Sequence, residues 1–126
     1  MIRILLADDH KQVRKALRAT LEECEGWHVC GEACNGREAV KLARELRPDV
    51  AVLDFAMPEL NGVEATRQIK QCVPQVEVLI FTMYDSDALR ISACEAGARG
   101  FVPKSNDELQ IVKAIRIVLR DKTSAT

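Results

Sequence analysis

The chain has 126 residues, of which 48% are hydrophobic and 29% are charged, as in ordinary soluble globular domains. A chain of this length predicts a single domain. Eighteen basic and nineteen acidic residues leave a net charge of −1, so no overall positive field favours binding to nucleic acid or to an anionic membrane. The apolar run over residues 4–7 is far shorter than the ~20 residues that span a bilayer, and we expect a cytoplasmic protein.

Short apolar runs alternate with helical patterns along the whole chain. The predicted elements are, in chain order, a strand over 2–7, a helix over 11–24, a strand over 27–33, a helix between Asn35 and Pro48, a strand over 50–53, a helix over 62–71, a strand over 76–81, a helix over 86–95, a strand over 100–102 and a helix that begins near Ser105. Residues 122–126 are small or polar and predict a frayed tail or the start of a linker.

The helical segments carry recognisable end signals. Asn35 with Glu38, and Ser105 with Glu108, have the spacing of a capping box, and Gly97 is placed to end the fourth helix in the left-handed conformation. Apolar spacing predicts which helical residues face the core. These inward residues are Val13, Leu17 and Leu21 in the first helix, Ala39, Val40, Ala43 and Leu46 in the second, Val63, Thr66 and Ile69 in the third, and Leu109, Val112, Ile115 and Leu119 in the fifth.

Five strands that are each followed by a helix predict an α/β fold, in which a five-stranded parallel sheet has helices on both faces. The fourth strand is almost continuously apolar, which is typical of a strand buried on both sides. In such folds, ligands bind at the carboxyl ends of the strands. The residues that end each apolar run are therefore the candidates for function.

Polar residues end four of the five runs. Asp8 and Asp9 follow the first, Asp54 the third, Thr82 the fourth and Lys104 the fifth. Each alone has an ordinary structural explanation; Asp9, for example, stands where it would cap the first helix. Because a parallel sheet brings these ends to one edge, three carboxylates would repel one another there unless a cation neutralised them.

Mg²⁺ prefers the oxygen ligands that such a site offers. A lysine can form an ion pair with a phosphate oxygen, and a threonine hydroxyl can donate one hydrogen bond. The sequence lacks the GxxxxGK[ST] pattern of nucleotide-binding loops, so the arrangement predicts phosphoryl chemistry without that loop.

The same residues carry a resemblance to a known family. The chain resembles the receiver domain of bacterial two-component response regulators over residues 1–121, and the segments LLADDH, LDFAMPELNGVEATRQIK and GARGFVPKS are similar to the NarL/FixJ (LuxR-type) subfamily. The matching positions are Asp8-Asp9, Asp54 with Met57-Pro58 and Asn61-Gly62, Thr82, and Phe101 with Lys104. The resemblance implies the flavodoxin-like fold with strand order 2-1-3-4-5.

It also implies a role for each matching residue. Asp54 corresponds to the phosphoacceptor, and Lys104 to the lysine that pairs first with this aspartate and then with the phosphoryl group. Thr82 and Phe101 correspond to the switch pair. Asp8, Asp9, Asp54 and the backbone carbonyl of Ala56 correspond to the ligands of Mg²⁺.

The implied partners are a sensor histidine kinase and, in a longer protein, a C-terminal DNA-binding domain. We expect this chain by itself to bind neither DNA nor membrane, and to form homodimers on phosphorylation. Ile111, Ile117 and Val118 fall outside the predicted inward stripe of the fifth helix, which suggests that they form part of the dimer surface.

The sequence departs from the family pattern at two places. Ser105 follows the lysine where the family often has proline, which leaves open whether the Lys104–Ser105 peptide is cis. Met83 follows Thr82 where a small residue is usual, and we expect it either to narrow access to the phosphate or to alter how Thr82 moves.

Two other interpretations remain open at this stage. A phosphatase of the haloacid dehalogenase type also uses an aspartate nucleophile with Mg²⁺, but it needs a second aspartate at the position of Ala56. A receiver-like module that never takes phosphate would not need all five functional positions. We therefore predict a phosphoacceptor signalling domain that is not a turnover enzyme. The five cysteines are odd in number and lack CxxC spacing, which predicts reduced, buried or half-buried thiols.

Overall fold

The computed structural model describes residues 1–104 and 108–124, with side chains as far as residue 121. Strands and helices alternate in the predicted order. They are β1 (Ile2–Ala7), α1 (Lys11–Glu22), β2 (Trp27–Ala33), α2 (Gly36–Leu46), β3 (Val50–Leu53), α3 (Gly62–Cys72), β4 (Glu77–Thr82), α4 (Asp87–Ala96), β5 (Gly100–Pro103) and α5 (Leu109–Ser124). The predicted cap of the fifth helix, Ser105, lies outside the described residues, as does the Lys104–Ser105 peptide.

The five strands form one parallel sheet in the order β2-β1-β3-β4-β5, which confirms the predicted fold. All residues of β3 and β4 are buried, whereas the edge strands β2 and β5 are only partly buried. The near-continuous apolar character of the central strands follows from this burial, because helices cover both of their faces.

The core has two layers, one on each face of the sheet. Alternate residues of β1 point to opposite faces: Leu5 and Ala7 pack with α2, α3 and α4, whereas Ile4 and Leu6 pack with α1 and α5. Three helices therefore cover one face and two cover the other, which leaves the carboxyl ends of the strands open at one edge.

The predicted helix ends are confirmed for α2 and α4. Asn35 Oδ1 accepts a hydrogen bond from the Glu38 amide at 2.8 Å, and Glu38 Oε1 accepts one from the Cys34 amide at 3.0 Å. These bonds satisfy amides that have no partner inside the helix. Gly97 ends α4 with φ 110°, a conformation that favours glycine.

The predicted orientation of α5 is wrong for three residues. Ile111 and Val118, predicted to lie outside the inward stripe, are 0% and 5% exposed and lie in the core, and Leu109, predicted to face the core, is 57% exposed. Ile117 is 51% exposed, as predicted. Val112 and Ile115 are buried as predicted. Apolar residues occupy most of the circumference of this helix, so periodicity alone did not determine which face meets the sheet.

The cysteines are free, as predicted, but only Cys24 and Cys30 are half-buried; Cys34, Cys72 and Cys94 are exposed. Exposure of these three corrects the expectation of buried or half-buried thiols. Among the described residues, none of the helices has both the length and the apolar character required to cross a bilayer.

Candidate functional site

The backbone places three of the predicted site residues at the open edge of the sheet. Asp8 directly follows β1, Asp54 follows β3 and Lys104 follows β5. Their amides donate to carbonyl oxygens of neighbouring strands, at 3.0 Å for Asp8, 2.9 Å for Asp54 and 2.6 Å for Lys104. The inter-strand hydrogen bonding therefore continues one residue past each strand end and fixes the backbone position of each of these residues.

Lys104 links the two buried carboxylates. Its Nζ lies 2.5 Å from Asp8 Oδ2 and 3.3 Å from Asp54 Oδ2, and both aspartates are more than nine-tenths buried. Burial raises the pKa of Asp54, the Lys104 ammonium lowers it and the Asp8 carboxylate raises it, so that the net direction is upward. One ammonium between two carboxylates leaves a net negative charge, which a further cation would neutralise.

The second oxygen of Asp54 gives an independent indication of a ligand. Asp54 Oδ1 is buried and has no hydrogen-bond partner among the described residues. A buried carboxylate oxygen without a partner is costly in a protein interior. An oxygen ligand with a negative charge suits a hard divalent cation such as Mg²⁺, so the residues at this edge fit the predicted metal.

Asp9 lies beside this pair and is exposed, and it does not cap the following helix. The N-cap of α1 is His10, which makes no capping hydrogen bond through its side chain. One ligand atom from each of Asp8, Asp9, His10 and Asp54 lies within 4.8 Å of the others. The structure therefore adds His10 to the cluster; the sequence placed it next to the acidic pair, but its position at the site was not predicted.

A second feature that the sequence did not reveal is a network of charged residues that holds the backbone of Asp8. Arg14 donates from Nη1 to the carbonyl oxygen of Asp8 at 2.6 Å and from Nε to Glu32 Oε1 at 3.0 Å. Glu32 also accepts from Arg18 at 2.8 Å. Burial raises the pKa of Glu32, but the hydrogen bonds from Arg18 and Arg14 outweigh it and lower that pKa. This ionised network fixes the backbone next to the site.

The loop between β3 and α3 is packed tightly around the phosphoacceptor position. The Gly62 amide donates to the Phe55 carbonyl at 2.8 Å, and a Cβ at position 62 would lie only 2.2 Å from the carbonyl oxygen of Asp54. Glycine at the start of α3 therefore allows the helix to contact the backbone of Asp54 directly. Ala56, the predicted carbonyl ligand, is exposed in this loop.

The predicted switch residues have different surroundings. Thr82 is fully buried at the end of β4 and its hydroxyl accepts a hydrogen bond from the Tyr84 amide at 3.3 Å. Phe101 is half-buried in β5 and lies under the Arg90 guanidinium, 4.7 Å from the ring centroid. Arg90 in turn donates to Asp85 Oδ1 at 2.8 Å. Phe101 is thus joined through Arg90 and Asp85 to the loop after Thr82.

The two residues that follow Thr82 are exposed. Met83, which we expected to affect the phosphorylation site, has a side chain that is 76% exposed, and its effect on the site stays a prediction. Tyr84 is also exposed and packs edge-on against Phe55, with ring centroids 6.3 Å apart.

Comparison with known proteins connects this geometry to a family. The family described as response regulator receiver domain matches residues 4–116. The chain belongs to this family. The receiver domain is 39% identical over 118 residues to response regulator GacA of Pseudomonas viridiflava, over 94% of this chain and 55% of that protein. It thus spans about half the length of this curated relative.

Solved structures agree with this assignment. A LuxR-family two-component response regulator from Aurantimonas sp. SI85-9A1 has a TM-score of 0.90 and 43% identity, over 94% of this chain and 85% of that one. The signal receiver domain of the putative response regulator NarL from Mycobacterium tuberculosis has a TM-score of 0.89 and 30% identity, over 94% and 96% of the two chains. The predicted NarL/FixJ subfamily and the phosphoacceptor signalling role are confirmed.

Proposed function

We propose that Asp54 accepts a phosphoryl group from the phosphohistidine of a sensor histidine kinase. An oxygen of Asp54 attacks phosphorus, the bond between phosphorus and the histidine nitrogen breaks, and the product is an acyl phosphate on Asp54. The observation that supports this role is the buried carboxylate of Asp54. One of its oxygens accepts a hydrogen bond from Lys104, and the other has no hydrogen-bond partner among the described residues. Such a group is held in position while retaining a free nucleophilic oxygen.

The neighbouring residues have distinct parts in this transfer. Mg²⁺, when bound by Asp8, Asp9, Asp54 and the carbonyl of Ala56, supplies positive charge to the phosphoryl oxygens. Lys104 already contacts both buried aspartates and needs only a small shift to pair with a phosphoryl oxygen on Asp54. The contact with Asp8 at 2.5 Å keeps the ammonium at the site.

We propose that phosphorylation is read out through Thr82 and Phe101. The Thr82 hydroxyl donates to the new phosphoryl oxygen, and movement toward it breaks the contact with the Tyr84 amide. The loop that carries Asp85 then shifts, and with it Arg90, which covers the ring of Phe101. Release of that contact lets Phe101 turn inward and changes the surface formed by α4, β5 and α5. A local change of charge thereby biases a two-state element.

Mass spectrometry of the intact protein tests the phosphoacceptor directly. With a small phosphodonor such as acetyl phosphate and Mg²⁺, the wild type should gain one phosphoryl group and Asp54→Ala should gain none. Asp87→Ala, at an exposed aspartate on α4, is the matched control and should behave as the wild type. Full phosphorylation of Asp54→Ala would contradict the assignment.

We further propose that the receiver domain, residues 1–121, is not a turnover enzyme. The side chain of Ala56 is a methyl group and cannot serve as the second acid of a phosphatase. The phosphodonor should therefore be consumed only as fast as the acyl phosphate on Asp54 decays. Consumption that continues in Asp54→Ala would contradict this.

In this proposal, the domain that responds to phosphorylation belongs to a longer protein. The helix α5 extends to Ser124, and in the longer protein a linker to a DNA-binding domain follows it. The whole regulator controls transcription in the cytoplasm. The reading frame beyond the codon for residue 126 tests this, and an encoded helix-turn-helix domain is the expected result. The receiver domain alone should show no specific DNA binding, because its net charge is −1.

We propose that phosphorylation promotes homodimers through the outer face of α5, now assigned to Leu109 and Ile117 because Ile111 and Val118 are buried. Sedimentation velocity with beryllofluoride, a phosphoryl mimic, should show a dimer that Ile117→Glu weakens and Gln71→Glu, at an exposed position on α3, does not. A wild type that stays monomeric at high concentration would remove dimerisation from the proposal.

A further inference from the structure

His10 has an unusual position for an exposed residue. Its ring is 67% exposed, yet Nδ1 lies 3.2 Å from Asp8 Oδ1 and 3.1 Å from Asp9 Oδ1. The backbone amide of His10 also donates to Asp8 Oδ1 at 2.9 Å. Because the side chain does not cap α1, its orientation is set by the acidic pair, with one ring nitrogen toward the pair and most of the ring in solvent.

The nitrogen is close enough to share a metal ion with the carboxylates. One atom each from Asp8, Asp9, His10 and Asp54 lies within 4.8 Å of the others. Ligands on opposite sides of a first-row divalent ion are ~4.2 Å apart when each bond is ~2.1 Å, so small side-chain shifts suffice. Independently, Asp54 contributes a buried oxygen that has no hydrogen-bond partner among the described residues, which is the kind of group that a cation would satisfy.

A nitrogen ligand changes which metal a site prefers. Carboxylates, carbonyls and water suit Mg²⁺, whereas imidazole suits Zn²⁺, Ni²⁺ and other late first-row ions. We propose that His10 is a nitrogen ligand of this site, and that it makes the receiver domain bind late first-row divalent ions such as Zn²⁺ more tightly than the carboxylates alone would. The inference rests on the metal site of the proposed function and adds a determinant of metal selectivity to it.

Nuclear magnetic resonance of the histidine ring nitrogens provides a test that does not depend on phosphorylation. The chain has two histidines; the second, His28, is exposed and lies on β2 beside Glu22, so it serves as an internal control. In ¹⁵N-labelled protein, Zn²⁺ should move the Nδ1 resonance of His10 in the direction typical of coordination and leave His28 in place. Mg²⁺ should produce no such shift in either histidine.

The affinity for each metal should be measured from the chemical shifts of the backbone amides of Asp9 and Asp54 during a titration. Zinc bound by cysteine thiols elsewhere is then excluded from the measured affinity. His10→Ala should lose about tenfold or more in affinity for Zn²⁺ and much less for Mg²⁺, while His28→Ala should match the wild type for both. Equal losses for the two metals in His10→Ala would overturn the proposal, since His10 would then act only by orienting Asp8.

The wild type decides the question even if His10→Ala fails to fold. If Zn²⁺ shifts the amides of Asp9 and Asp54 but leaves the ring nitrogens of His10 unmoved, the proposal is refuted. Phosphorylation of the wild type with Mg²⁺ is a separate readout. If the wild type takes no phosphate while Zn²⁺ still shifts the Nδ1 resonance of His10, the proposed function is refuted and this inference stands.

Discussion

Replacement of Gly62 with alanine should disturb the backbone of the phosphoacceptor. The new Cβ would lie 2.2 Å from the carbonyl oxygen of Asp54 and 3.0 Å from Cα of Phe55, whereas ordinary contact begins at 3.4 Å. Because both neighbours are backbone atoms, the loop after β3 must move by about 1.2 Å, the difference between the shorter distance and an ordinary contact. The carboxylate of Asp54 would move with it relative to Lys104.

The cost follows from general values for overpacking. Such changes destabilise a protein by about 1–3 kcal/mol, and the lower chain entropy of alanine offsets roughly 0.4–1 kcal/mol. A net loss of about 1–2 kcal/mol remains. With an unfolding entropy of ~2.1 cal/mol/K per residue, a chain of 126 residues should then melt roughly 4–8 °C lower.

Thermal melting by circular dichroism measures this effect, and Gly31→Ala is its control. There the Cβ would meet Leu46 Cδ1 at 2.8 Å, a side-chain methyl group that can rotate away. Gly62→Ala should melt clearly below Gly31→Ala and should also take phosphate from acetyl phosphate more slowly. If the two variants melt and phosphorylate alike, the start of α3 does not hold the backbone of Asp54, and the reasoning is refuted.

Two further outcomes follow from the charges at the site, and a third follows from the access of water to it. Lys104→Ala leaves the carboxylates of Asp8 and Asp54 without their ammonium, so Mg²⁺ should raise its melting temperature more than it raises that of the wild type; equal shifts in calorimetry would contradict this. Because the pKa of Asp54 is raised in the folded protein, protonated Asp54 favours the folded state. This contribution to stability is complete below the pKa of ~3.9 that the group has in the unfolded chain, and it is lost as the pH rises through the folded-state pKa. Metal-free Asp54→Asn should therefore be more stable than the wild type at pH 7 by a margin that shrinks toward pH 4, and a constant margin in urea unfolding would disprove the shift. Ala56→Asn places a polar group that can orient water near the acyl phosphate, so dephosphorylation followed by mass spectrometry should accelerate, and an unchanged decay would show that water access is set elsewhere.

Much of this site could be predicted from the sequence because its residues are marked by local contrast. Asp8, Asp54, Thr82 and Lys104 each end an apolar run, and in a parallel sheet the ends of such runs necessarily meet at one edge. The structure brings Asp8, Asp54 and Lys104 into direct contact. Alternation of strand and helix patterns likewise predicted the element order, and the resemblance implied the order of the strands.

Other features depended on the tertiary structure. Ile111 and Leu109 are both apolar residues of α5, but only packing against the sheet decides that the first is buried and the second exposed. Tertiary structure likewise decides that Arg14 donates to the Asp8 carbonyl and that Arg90 packs on the ring of Phe101. The chain has many arginines, and sequence spacing does not predict which one contacts which partner. Periodicity reports the geometry of one segment at a time, whereas the burial of a wide apolar face and the pairing of distant charges depend on how all the segments pack together.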